Sequence, residues 1–222
     1  MREPAWFRPT IVTLAAALAF TAIWTFTLEL IRQTAISRAQ PSRSVEDLPR
    51  NLELARTAAS MGLIRGDLWG DYALLVTSAT LNEPEPKRSK ALLQHARDAA
   101  ELAVRLAPLD SQVWLLLAQL DFQLNSNAVV DALKMAYYTG PHDTALIPER
   151  LRIATKLDAI SSSELQILVG GDLRSILLHS PELKPSITAA YNSARPEGKH
   201  FIEETVKQLD PALMKILGDF LD

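Results

Sequence analysis

The chain has 222 residues and a net charge of −3, with 48% hydrophobic and 22% charged side chains, a balance that excludes wholesale disorder. Its 8 glycines and 6% aromatic content argue against a sandwich, barrel or propeller, and the absence of cysteine excludes disulfides and thiolate chemistry. Residues 1–50 carry six Arg against four acids, leaving 17 Lys and Arg against 22 Asp and Glu beyond them. The body is therefore mildly acidic and ill suited to nucleic acid, which needs a clustered basic face.

Residues 1–8 form a short tail, and residues 9–31 read as a transmembrane anchor. From Pro9 to Leu28 run 20 residues without a formal charge, about 30 Å as a helix, which matches the hydrocarbon core of a bilayer. Trp6 and Trp24 would stand about 27 Å apart along that helix, near the two interfacial aromatic belts. Arg8 and Arg32 bracket the span and can snorkel to headgroups. Two duller readings compete. A signal peptide cleaved at Ala17-Leu18-Ala19 would leave apolar sequence exposed as far as Trp24, and a buried core helix rarely stays uncharged for so long. Arg2 and Arg8 precede the span while Arg32, Arg38 and Arg43 follow it, so the positive-inside count leans towards a cytoplasmic body.

Residues 32–47 are polar, with Arg, Ser and one Pro, and read as the tail of the anchor helix followed by a tether. The rest is Ala- and Leu-rich, and its periodicity predicts an all-α body. A helix over Leu48–Met61 is ended by Gly62, and another runs from Asp67 to the Asn82–Pro86 breaker. A third spans Lys87–Ala107. Asp110 or Ser111 caps a fourth reaching Leu124, and a fifth covers 128–139 before Gly140-Pro141. Pro148 suits the first turn of a helix through Leu157, and Ser161-x-x-Glu164 forms a capping box for the next. Gly170-Gly171 would cost about 2 kcal/mol inside a helix, which predicts a break there with a restart at Asp172. Helices over Pro181–Tyr191 and Pro196–Leu209 follow, and Asp210-Pro211 opens a last one ending near Leu221.

Within this body, Ala96, Ala100, Ala103 and Pro108 are answered by Val129, Leu133, Ala136 and Pro141, the two prolines lying 33 residues apart. Small residues at helical spacing let helix axes approach closely, and each proline ends its helix so that another pair can begin. Trp114-x-x-Leu117-Ala118 stands where a tetratricopeptide repeat (TPR) carries its Trp-x-x-Leu-Gly signature, and Trp69-Gly70 with Tyr72 is a weaker echo. The chain thus resembles a TPR-type protein: a transmembrane helix, then a TPR-like α-solenoid of antiparallel pairs over 48–141, capped by helices in 142–222. Asp121 departs from the signature, which wants Tyr, and the Glu83–Pro86 loop stretches the first repeat. With the anchor, the stretches Arg105–Ala118 and Ala132–Pro141 resemble the single-pass proteins with TPR-like bodies that accompany bacterial exopolysaccharide assembly systems. That resemblance implies a non-catalytic scaffold at the inner membrane with a periplasmic body, holding protein components of polymerisation or export together.

Catalytic patterns are wanting. His95, His142, His179 and His200 are scattered, with no second ligand at metal-binding spacing, so neither a metal nor a cofactor is expected. Gly198-Lys199 lacks the rest of a P-loop, Gly170-Gly171-Asp172 follows no strand, and Glu83 and Glu85 flank a loop proline. Asp67 and Asp71 share a helix face but read as solvated surface beside Trp69. The TPR resemblance implies a ligand groove on the first helix of each pair, here Gln112, Leu115, Gln119 and Phe122. In the pair Tyr137-Tyr138, one ring packs under the turn while the other caps the groove rim, or the rings contact a peptide or glycan, with Tyr138 the candidate partner contact. The alternatives to the scaffold are an envelope chaperone or assembly factor, for example in cytochrome maturation, and a membrane-bound enzyme acting on glycans.

Overall fold

The computed structural model describes residues 7–38, 48–61, 65–81 and 83–211, and every regular element among these is helical. Helix α1 (Phe7–Arg38) contains, at Pro9–Thr27, one stretch long and apolar enough to cross a membrane, with a mean hydropathy of 1.7 and none of it buried in the body. Its threonines satisfy themselves. Thr13, Thr21, Thr25 and Thr27 each donate a hydroxyl hydrogen bond to a carbonyl three or four residues back. Trp24 stacks on Phe20 at 6.2 Å, while Trp6 lies outside the described residues. Helix α1 continues to Arg38, so the first part of residues 32–47 is helical, in keeping with their reading as a helix tail followed by a tether.

Helix α2 (Leu48–Met61) lies between α1 and α3 (Gly66–Thr80) and buries Ala55, Ala58 and Ala59. Gly62, expected to end α2, is outside the described residues. Helix α4 (Pro86–Leu106) starts on a proline, whose missing N–H costs nothing in a first turn. It packs antiparallel along α3. Gly66, at the start of α3, stands so close to the end of α4 that a Cβ there would sit 2.7 Å from that of Ala107. Opposite Gly66 and Tyr72, α4 presents Ala96, Ala99, Ala100 and Ala103 as a fully buried small-residue stripe.

Asp110 caps α5 (Ser111–Gln123), its carboxylate accepting from the Gln112 and Val113 amides at 3.0 and 3.2 Å. Trp114 donates its indole N–H back to the Pro108 carbonyl at 2.8 Å and so fixes the turn into α5. Asp121, the departure from the repeat signature, is 1% exposed and accepts from Arg97 of α4 at 2.6 Å. This ion pair joins consecutive helices. Asn125, at φ 55°, makes the left-handed turn into α6 (Val129–Thr139). Helix α6 returns antiparallel along α5 until Gly140 meets Ser111.

Helices α7 (Ile147–Ala154), α8 (Ser163–His179), α9 (Lys184–Ser193) and α10 (Pro196–Leu209) complete the described fold. They close around Leu151, Leu165, Leu173, Ile176, Ile187 and Ile202, none of which is exposed. The apolar core is continuous from Ala55 to Val206 and crosses the expected boundary at 141–142 without a gap. Three expectations are corrected here. Helix α7 stops at Ala154, where a turn over Thr155–Leu157 replaces its predicted continuation and leads into a 3₁₀ turn at Asp158–Ser161. The cap of α8 is Ser162, which accepts from the Leu165 amide, rather than Ser161. Helix α8 also runs unbroken through Gly170-Gly171, because Val169, Asp172, Leu173 and Ile176 are all held in the core and their burial outweighs the glycine cost. Asp210 ends α10 and pairs with Lys184 at 2.7 Å; the helix expected to end near Leu221 falls on residues outside those described.

Arg150 of α7 is the largest fully buried side chain among the described residues. Its guanidinium donates to both Asp172 oxygens at 2.9 and 3.1 Å and to the Gly140 carbonyl at 2.8 Å, and lies 4.5 Å from the Tyr137 ring centroid. One side chain therefore joins α6, α7 and α8. Burial pushes the Asp172 carboxyl up to about 6, although Arg150 opposes the rise. Between about pH 4 and 6 the folded chain then holds a proton that the unfolded chain has released. The contribution of Asp172 to stability is full below that window and lost as pH rises through it. Urea midpoints across the window should show wild type losing ground to Asp172→Asn as pH rises; a constant difference would contradict the shift.

Candidate functional site

A groove of about 290 Å³ opens between α3, α5 and the start of α7. Three local causes produce it. Gly70 lets α3 approach α5 so closely that a Cβ would meet Val113 at 2.8 Å. Asp110 sets the first turn of α5, and a 3₁₀ turn at Thr144–Leu146, capped by Asp143, brings Leu146 and Glu149 across the far side. The apolar lining consists of Leu74, Val113, Leu115, Leu116 and Leu146. Leu74 is 57% exposed, an unusual position for leucine in the middle of a helix.

Every ionisable side chain in the lining is acidic: Asp67, Asp71, Asp110 and Glu149. Arg65 donates from Nε to Asp67 at 3.2 Å and from Nη2 to Glu29 of α1, also at 3.2 Å. The hydrogen bond to Asp67 is the main cause that raises Arg65 further above the usual arginine range. Arg152 grips Glu149 through Nε and Nη2. These carboxylates form an acidic rim assembled from α3, the cap of α5 and α7.

Of the five residues expected to face a ligand, Gln112, Leu115 and Gln119 line this groove. Phe122 does not; it sits one turn further along α5, partly buried against the core. Tyr138 is also elsewhere, on the α6–α8 face, where its hydroxyl donates to Glu164, which also pairs with Lys134. Those two contacts, Lys134 first, hold the Glu164 carboxyl below its ordinary range. Its neighbour Tyr137 packs in the core at 3% exposure. Asp67 and Asp71, read as plain surface, belong to the lining, and the i, i+3, i+4, i+7 spacing of Asp67, Gly70, Asp71 and Leu74 puts these four on one helix face. Leu116, Leu146 and Glu149 carry no signal in the sequence.

The other candidates recede. Among the described residues no three His, Asp or Glu side chains gather at a metal-binding distance. His95 packs edge-on against Tyr72, His200 lies 3.5 Å from Glu204, and Glu83 accepts the Glu85 amide within its own loop. No family model, curated protein or solved structure matches the chain.

Proposed function

We propose that the protein is a membrane-anchored, non-catalytic interaction scaffold that docks an extended segment of a protein partner in the α3–α5–α7 groove. The observation that carries this reading is the joining of an apolar floor and amide side chains with a helix apolar enough to hold the body at a bilayer. On this reading α3–α4 and α5–α6 are TPR-like pairs, their first helices forming the ligand-facing row and Gln112 and Gln119 bonding a partner's backbone. Confinement to a membrane raises the effective concentration of partners, so weak groove contacts suffice. The resemblance to accessory proteins of exopolysaccharide assembly gives the pathway, an inner-membrane location and a periplasmic body.

Photo-crosslinking tests the reading. A photoreactive residue at Gln119 in intact cells should capture one or a few envelope proteins, whereas the same probe at Asp131, exposed on α6, should capture none of them. Equal capture at both positions would sink the groove. Products dominated by many unfolded chains would favour the envelope chaperone instead. Phosphatase activity from a fusion after Asp222 would put the body in the periplasm, and fluorescence without phosphatase activity would put it in the cytoplasm.

A further inference from the structure

We infer that the turn joining α4 to α5 lies in the headgroup layer of the bilayer that holds α1, with Leu109 as a second lipid contact of the chain. This rests on the anchored reading above and adds to it the edge of the body that faces the lipid.

The helices from α3 to α6 alternate in direction: Gly66 meets Ala107, Arg97 of α4 reaches Asp121 of α5, and Gly140 meets Ser111. The starts of α3 and α5 and the ends of α4 and α6 therefore share one end of the layer. Helix α1 leaves its apolar stretch at that same end. Glu29, two residues past Thr27, pairs with Arg65, which directly precedes α3. Two residues are about 3 Å of helix, whereas the headgroup layer is about 5–7 Å deep on each side of the hydrocarbon. From Arg65 the edge continues through Gly66 and Ala107 to Leu109.

The chemistry of the turn suits that place. Leu109 is 82% exposed, and the backbone that presents it is tied down. The Ala107 carbonyl accepts from the Asp110 amide at 3.1 Å, that of Pro108 from the Trp114 indole at 2.8 Å, and that of Asp110 from the Trp114 amide at 3.2 Å. The Ala107 amide donates to the Ala103 carbonyl, and Pro108 has no N–H to satisfy. The Asp110 carboxylate is taken up by two amides of α5. Moving such a turn out of water strands few polar groups, and its leucine gains by burial. At the root of the turn stands Trp114, half-buried, its ring apolar and its N–H bonded, the kind of side chain that settles at a membrane interface. Leu81 is the internal contrast. It is 86% exposed but follows the far end of α3, about 22 Å along the helix from Gly66.

The test uses the full chain in phosphatidylcholine vesicles that contain a lipid with a nitroxide quencher high on its acyl chain. Because the chain has no cysteine, Leu18→Cys, Leu81→Cys, Leu109→Cys and His142→Cys each give a unique site for an environment-sensitive dye. The dye on Leu18→Cys reports whether the span is in the bilayer. The dye on Leu109→Cys should be quenched and blue-shifted, and the dye on Leu81→Cys should be neither. His142, exposed on the same edge two residues beyond Gly140, reads the part played by Leu109 itself. Adding Leu109→Asp to His142→Cys should remove most of the quenching there and leave the urea midpoint unchanged, as expected for an exposed side chain. Quenching in the span without quenching on Leu109→Cys overturns this inference and leaves the anchor standing. Equal quenching on Leu109→Cys and Leu81→Cys overturns the choice of edge, and an unaltered His142→Cys signal after Leu109→Asp overturns Leu109 as the contact. No quenching on Leu18→Cys defeats the anchored reading itself.

Discussion

Arg150→Met should lower the unfolding free energy by about 3–5 kcal/mol at neutral pH, the usual result of removing one member of a buried ion pair. The substitution keeps the aliphatic volume but strands the Asp172 carboxylate and the Gly140 carbonyl, both of which the guanidinium satisfies. It also removes the cation from the Tyr137 ring. Against a typical total of about 5–15 kcal/mol, such a loss leaves little margin. Urea unfolding of the full chain in mild detergent, followed by tryptophan fluorescence, measures it. Pairing Arg150→Met with Asp172→Leu should recover much of the loss, because an apolar pair no longer buries an unmatched charge. If the double variant is no better than the single one, the cost lies in packing and the electrostatic account is wrong.

Gly198→Ala should be the most damaging of the glycine substitutions. A Cβ at position 198 would lie 2.2 Å from the Thr155 carbonyl oxygen and 3.0 Å from its Cα, all backbone atoms that no rotamer change can move. The same carbonyl accepts the Arg195 amide at 3.1 Å, so the first turn of α10 sits directly on the end of α7. Forcing them apart should cost about 3 kcal/mol, the upper end for overpacking, and should raise amide exchange at Ile202 and Val206. Gly171 is the internal contrast. It lies inside α8 with nothing within 4 Å of its would-be Cβ, so Gly171→Ala should stabilise by about 1 kcal/mol through helix propensity. Destabilisation by both substitutions would mean that α8 is not the continuous helix described.

Gly198 and Gly171 also mark the limit of what the chain reveals unaided. Proline starts, the Asp110 cap and the small-residue stripe of α4 are legible because each acts within one or two turns of its own helix. Gly170-Gly171 misleads because its local cost is real, but the tertiary burial of Val169 and Leu173 exceeds it. The pairs Arg150–Asp172 and Arg97–Asp121 are invisible for a related reason: 22 and 24 residues separate their members. Of the five residues named as ligand-facing, the three that line the groove are implied by the TPR resemblance. The acidic rim does not, because it is assembled from α3, the cap of α5 and α7, and no periodicity along one helix encodes a ring drawn across three.

Helix α1, long and apolar enough to cross a membrane, turns its threonines back on itself. With the hydroxyls of Thr13, Thr21, Thr25 and Thr27 turned back onto their own backbone, none needs a neighbouring helix to quench it in lipid. On the anchored-scaffold reading, such a span enters a bilayer alone and, through these positions, offers other helices little beyond dispersion, so that partner choice is separate from insertion. Exchanging residues 9–27 for an unrelated apolar sequence of equal length should leave the set of bound proteins unchanged, provided Glu29 keeps its hold on Arg65.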